Sequence, residues 1–303
     1  MVPILSIVFQ AVSMLIAFGL PIILFILFRR KYQARAIPMV VGAVSFIIFA
    51  LILEAELHKL VLAPNASGQI ALLNSTPWLF VVYGALAAGV FEETGRFICF
   101  KLLRKKYTGL GTGLAYGVGH GGIEAIIIVG VSMINNIIYS TMINSGTIDT
   151  VLAVTPAEFQ PALTVAVDAL INTASPMFLV SGVERIFAIG IHIGLSVIVF
   201  YAATQKGRAW LFPVAILLHA LVDVPAAMMQ AGIISSILVV EIFVAVCSVA
   251  LIGLAVQVYR KYGKPAEMAA VAADAQPKLP PYPYPAPEQT FAEEEPTIEE
   301  PQE

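Results

Sequence analysis

Long uninterrupted apolar runs dominate this chain, and a water-soluble fold has no way to bury them all. The first extends from Val2 to Phe28. It is longer than the core of a signal peptide and long enough for a bilayer, whose hydrocarbon layer takes about twenty apolar residues of helix. The candidate spans are 4–28, 37–58, 78–103, 112–138, 177–203, 210–229 and 233–258. The expected fold is therefore all-α: a polytopic membrane bundle of about seven transmembrane helices. Composition agrees, since 59% of residues are hydrophobic and only 12% charged. The mean hydropathy of +0.87 lies outside the range of soluble domains. The first run has no basic leader and no small-residue cleavage site, so it reads as a retained span.

The basic residues mark alternate loops. Arg29, Arg30, Lys31 and Arg35 follow the first span, and Arg104, Lys105 and Lys106 the third. Lys206 and Arg208 follow the fifth, and Arg260, Lys261 and Lys264 the seventh. The positive-inside rule then puts the N-terminus outside and the C-terminus in the cytoplasm, which suits a multi-pass protein of a bacterial cytoplasmic membrane. The net charge of -3 comes from acidic residues near the C-terminus and lends nucleic-acid binding no support. Cys99 and Cys247 both sit inside apolar runs and form no spaced framework. The segment 145–175, with Asp149, Glu158 and Asp168, is expected to hold an amphipathic helix on the outer surface. Residues 1–263 make the membrane domain. From 264 to 303 the chain turns to Ala, Pro, Tyr and Glu and is expected to be a disordered cytoplasmic tail.

Charged groups within spans are costly, about 2.5–3.5 kcal/mol at a helix centre on insertion scales, so they ordinarily have a partner or a purpose. The third span carries Glu92, Glu93 and Arg96, and the fourth His120 and Glu124. The fifth carries Glu184, Arg185 and His192, and the sixth His219 and Asp223. Counted from the basic ends, Glu92, Glu93, His120, His192 and His219 all lie about 15 Å deep at 1.5 Å per residue. Glu124 and Asp223 sit one turn further out, on the faces of His120 and His219. Each piece has a plain structural alternative. Arg96 can pair with either glutamate along its own helix, and a His–carboxylate pair can tie helices together. A shared depth on four helices is harder to explain that way. Glu54, Glu56 and His58, near the outer end of the second span, are expected to be solvated at the interface. Glu241 is given no role. The glycines around His120 are expected to let backbones approach or to leave room beside the imidazole.

A glutamate beside imidazoles can take a proton from water and hold it for attack on a carbonyl. A divalent metal such as zinc is an alternative, because His120, His192, His219 and Glu124 could supply a site with one open position. The same residues would also serve a proton- or metal-coupled transporter, a seven-span lipid hydrolase, or a haem protein with facing histidines. Transporters often show mirrored halves, which are absent here, and the haem reading predicts histidines without carboxylate companions. No serine sits in a nucleophile elbow, although Ser196 lies one turn from His192.

Glu92-Glu93-Thr94-Gly95-Arg96, the run Tyr116 to His120 (YGVGH) and His219-Ala-Leu-Val-Asp223 resemble the three motifs of the CAAX-protease and bacteriocin-processing membrane superfamily. The GHGGIEA and ERIFAIGIHIG runs resemble the YhfC family of intramembrane proteases. The resemblance implies a helical membrane endopeptidase, of glutamic or metallo type, acting on a membrane-anchored peptide or protein. It also implies that Glu92 activates water, that His120 helps to hold it, and that Arg96 anchors the glutamate pair. His219 and Asp223 would orient the substrate carbonyl and bind the oxyanion, or complete a metal site. Only Thr94 and Gly95 separate Glu93 from Arg96 where the prenyl-protease pattern usually has three residues, so the division of labour between Glu92 and Glu93 stays open.

Overall fold

The computed structural model describes residues 1–65 and 68–274, and every regular element among them is a helix. Seven long helices carry the fold. They are α1 (Ile4–Tyr32), α2 (Ala36–Leu62), α3 (Pro77–Leu103), α4 (Leu110–Ser145), α5 (Ser175–Thr204), α6 (Leu211–Gln230) and α7 (Ile237–Val258). Six of them are long and apolar enough to cross a membrane. The exception is α3, which is of spanning length but carries Glu92, Glu93, Arg96 and Lys101. The expected spans match these helices to within a few residues, except that α4 extends seven residues beyond 138, to Ser145. There Asn135, Asn136, Ser140 and Thr141 lower the hydropathy without breaking the helix.

Helix α5 is the axis of the bundle. Its most apolar stretch is 83% buried, against 17–33% for the other five spans that pass on composition. It packs against α1, α3, α4, α6 and α7, while α2 lies on α4 and α6 pairs with α3. Leu195, Ile198 and Phe200 of α5 meet Phe100 and Tyr116 in the main apolar cluster. Outward faces are apolar as well: Leu217, Leu221, Val246 and Val249 are exposed, as lipid-facing side chains are. In lipid there is little hydrophobic drive between helices, so close backbone approach matters. A Cβ on Gly117 would lie 2.6 Å from Ile193 Cα, and one on Gly121 would lie 3.1 Å from the His192 ring. The glycine-rich stretch of α4 is thus what lets it lie flush on α5.

Two long helices contain π-helical segments, Ile47–Glu54 in α2 and Ile126–Gly130 in α4. Such wide turns occur often at functional sites, because they rotate the following residues relative to a regular helix. The 145–175 segment forms two short helices, Ile148–Val154 and Gln160–Asn172, in place of the single one expected. Thr155 and Pro156 lie between them, and Pro cannot continue a helix from the first into the second. The expectation of disorder from residue 264 is corrected for its first eleven residues. α7 continues through a π-helical turn, Tyr259–Gly263, into the helix Lys264–Asp274, where Pro265 sits in the first turn and Ala, Glu and Met favour helix. The remainder of that expected tail, 275–303, lies outside the described residues.

Candidate active site

The site is built from four helices at one level. Glu92 and Glu93 are consecutive on α3 and so point about 100° apart around its axis. Glu92 faces α4: its Oε2 lies 2.8 Å from His120 Nε2. It also lies 3.8 Å from His219 Nε2 on α6 and 3.9 Å from His192 Nδ1 on α5. Three imidazoles from three helices therefore converge on one carboxylate oxygen. The rings themselves are neighbours, with centroids 4.7 Å apart for His120 and His192 and 5.6 Å for His192 and His219. Phe46 of α2 closes the back of the site, edge-on to His120 at 5.3 Å.

Glu93 faces elsewhere. Its Oε1 is 2.7 Å from His219 Nδ1, and its Oε2 is 3.1 Å from Arg96 Nε, with no part of the side chain exposed. Arg96 turns the rest of its guanidinium to α5. Its Nη1 donates to His192 O at 2.8 Å and to Ser196 Oγ at 2.7 Å, and its Nη2 lies 3.2 Å from His192 Nδ1. Guanidinium only donates, so His192 Nδ1 accepts. In a neutral ring the proton is then on Nε2, which faces Glu124 Oε2 at 2.5 Å. The resemblance implies that Arg96 anchors the glutamate pair, but among the described residues its acidic partner is Glu93.

Of the pairs expected along single helices, His219 and Asp223 do approach each other, with Nε2 and Oδ2 3.6 Å apart. Glu124 instead meets His192 across the α4–α5 interface, along with Arg185, whose Nη1 donates to Glu124 at 2.8 Å. Arg185 also pairs with Glu184. Beside this group lies a cavity of about 400 Å³ between α5, α6 and α7. His192, His219 and Asp223 line it, as do Glu184 and Glu241, so Glu241 is not a lone group in lipid.

Glu54 departs most from expectation. Rather than being solvated, it is only 8% exposed at the end of the π-helical segment of α2. His58 Nε2 is 3.2 Å from its carboxylate, and His58 Nδ1 is 2.8 Å from Tyr83 Oη. Hydropathy gave no signal for this, since a count of residues along a regular helix puts Glu54 at the membrane surface. Arg185 and Ser196 were visible as polar residues within a span, but their partners are set by helix packing.

Donor atoms of Glu92, His120 and His192 all lie within 4.8 Å of one another, which makes them the described group that could hold a metal ion. Two imidazoles and a carboxylate are a zinc-type donor set with room for a further ligand. His219 Nε2 is next in reach of Glu92, whereas His192 Nδ1 is also claimed by Arg96. Glu124, expected among the ligands, is held by Arg185 and His192 Nε2 and falls outside that group.

A family model described as YhfC intramembrane metalloprotease matches residues 15–244, a stretch that contains every residue of this cluster. The chain is also similar to a Bacillus subtilis (strain 168) protein described as uncharacterized membrane protein YhfC. The two are 42% identical over 240 residues, 79% of this chain and 91% of that protein. No solved structure matches the chain.

Proposed function

The chain belongs to the YhfC intramembrane metalloprotease family and is an integral multi-pass membrane protein, and on that footing we propose that it is a membrane-embedded endopeptidase centred on Glu92. The observation that carries this reading is the convergence of three imidazoles, from α4, α5 and α6, on Glu92 Oε2. The substrate is a membrane-anchored peptide or protein, whose scissile segment enters by the cavity between α5, α6 and α7. Glu92 accepts a proton from the attacking water as the water oxygen bonds to the carbonyl carbon. As the C–N bond breaks, that proton is delivered to the leaving nitrogen, and the products are a carboxylic acid and an amine.

The surrounding residues hold Glu92 and the rings for this step. Glu93 accepts the Nδ1 proton of His219, so a neutral His219 turns the Nε2 lone pair toward Glu92 and Asp223. That is the arrangement of a metal-ligating imidazole backed by a carboxylate. The divalent cation that the family description implies would be held by His120 and His192 at Glu92, once Arg96 releases His192 Nδ1, with His219 Nε2 the next imidazole in reach and one oxygen of Glu92 left to take the proton. The chemistry such a cation supplies when bound is polarisation of a carbonyl and acidification of water. Arg96 is a positioning residue: through Glu93, His192 and Ser196 it ties α3 to α5.

The test is metal analysis of the purified protein alongside cleavage of membrane-anchored reporter peptides. The proposal expects about one divalent cation per chain, cleavage that stops on chelation, and recovery on adding back zinc or another divalent ion. A metal-free protein that cleaves at full rate would remove the cation from the site.

A further inference from the structure

We propose that the basic end of the bundle holds a second site, separate from the Glu92 centre, that binds a phosphate-bearing anion such as a phospholipid headgroup. A cavity of about 920 Å³ opens there, among the ends of α1, α4 and α5, the α3–α4 loop and the helix Lys264–Asp274. Lys31, Arg35, Arg104 and Lys106 line it, and none of the four forms an ion pair with any described residue. The lining has a single acid, Glu267, which is already engaged: Oε1 accepts from the Leu110 N–H at 2.8 Å, and Oε2 accepts from Tyr259 Oη at 3.1 Å. Among the described residues, four cations therefore share one space with a single carboxylate, an excess of three positive charges. A buried polar group lies in the same wall. Tyr201 lines the cavity, is 2% exposed, and its buried hydroxyl has no hydrogen-bond partner among the described residues.

The chemistry of the lining selects the ligand. Guanidinium and ammonium groups suit phosphate oxygens, with arginine able to grip two at once. The N-terminal turn of α4, Leu110 to Thr112, forms part of the same wall, with its first N–H held by Glu267. Basic pockets between membrane helices are known to take anionic headgroups, and this cavity is far larger than a phosphate alone requires. Unlike basic residues scattered along an interface, these four, though exposed, line one cavity, and that difference is what can be measured.

The experiment uses the full-length protein in detergent, titrated with phosphatidylglycerol, with phosphatidylcholine of the same chains, and with inorganic phosphate. Bound lipid is counted by native mass spectrometry, and stability is followed by thermal melting. We expect phosphatidylglycerol to be retained and to raise the melting temperature, with phosphatidylcholine doing neither. Combining Lys31→Gln, Arg35→Gln, Arg104→Gln and Lys106→Gln should weaken retention by about tenfold or more. Combining Arg29→Gln, Arg30→Gln, Arg260→Gln and Lys261→Gln removes as much charge from outside the cavity and should leave retention unchanged. If the first combination fails to fold, Arg35→Gln with Lys106→Gln, both exposed, carries the same comparison. Millimolar inorganic phosphate that protects as well as the lipid, and through the same four residues, would identify the ligand as the free anion at the proposed site. Equal weakening by both sets of substitutions, or no distinction between the two lipids together with no effect of phosphate, would overturn the proposal.

Discussion

Two glutamates of identical chemistry sit side by side on α3, and helix geometry alone separates their surroundings. Glu92 lies among imidazoles beside a cavity, and Glu93 is sealed between Arg96 and His219. That Glu92, His120, His192 and His219 would meet was legible from their common depth, since residues at one level on packed helices have few places to go. That Glu124 would meet His192 and Arg185 was not. A spacing of four residues says only that His120 and Glu124 share a helix face, and which neighbouring helix that face meets is decided by tertiary packing. Arg96 supplies a prediction at this scale. Its side chain is fully buried and holds Glu93, His192 and Ser196 together. Arg96→Ala strands the Glu93 carboxylate, and losing one partner of a buried pair can cost about 3–5 kcal/mol. Thermal melting in detergent should show a large loss for Arg96→Ala. A melting temperature within a degree or two of the parent would show that the ion pair is dispensable for stability.

Apolar runs report where a helix avoids water, against lipid or, as for α5, inside the bundle, and for that reason the seven long helices were readable to within a few residues over most of their length. The same signal fades where a helix leaves the hydrocarbon. The ends of α4 and α7 and the division of 148–172 into two short helices were therefore beyond it, whereas the π-helical segments of α2 and α4 lie inside apolar runs and were missed because apolar content does not report how wide a turn is. The buried Glu54 closes one of those segments and was missed with it. The glycines of α4 do form a close-approach surface, as their density suggests, and their neighbours permit a graded test. Gly117→Ala forces a Cβ against Ile193 and the His192 carbonyl, and overpacking of this kind costs about 1–3 kcal/mol. Gly84→Ala on α3 meets no atom within 4 Å and should be neutral or stabilising, because alanine favours helix. Melting temperatures of the two variants should move in opposite directions or differ clearly. If both are neutral, α4 does not lie against α5 as closely as the Gly117 contacts require.

For the whole molecule, the orientation rests on the alternation of basic loops. We predict that single cysteines at Lys105 and Glu158, in a protein with Cys99 and Cys247 replaced, label from opposite faces of the membrane. Labelling of both from one face would overturn the orientation and the span count on that side. The bundle as a whole holds a costly set of buried charges at mid-depth, and we attribute their retention to hydrolysis, beyond any part they play in joining helices. The most direct measurement is the specific activity, per folded molecule, of Glu92→Gln on a membrane-anchored reporter, beside Glu93→Gln and with melting temperatures for both. Glu92→Gln preserves size and hydrogen bonding but removes the proton acceptor. With Glu92 as the base, turnover should fall by about two or more orders of magnitude while the protein stays folded. Glu93→Gln should lose stability first, through Arg96 and His219. A folded Glu92→Gln protein that cleaves the reporter at the parent rate would contradict the catalytic role of Glu92.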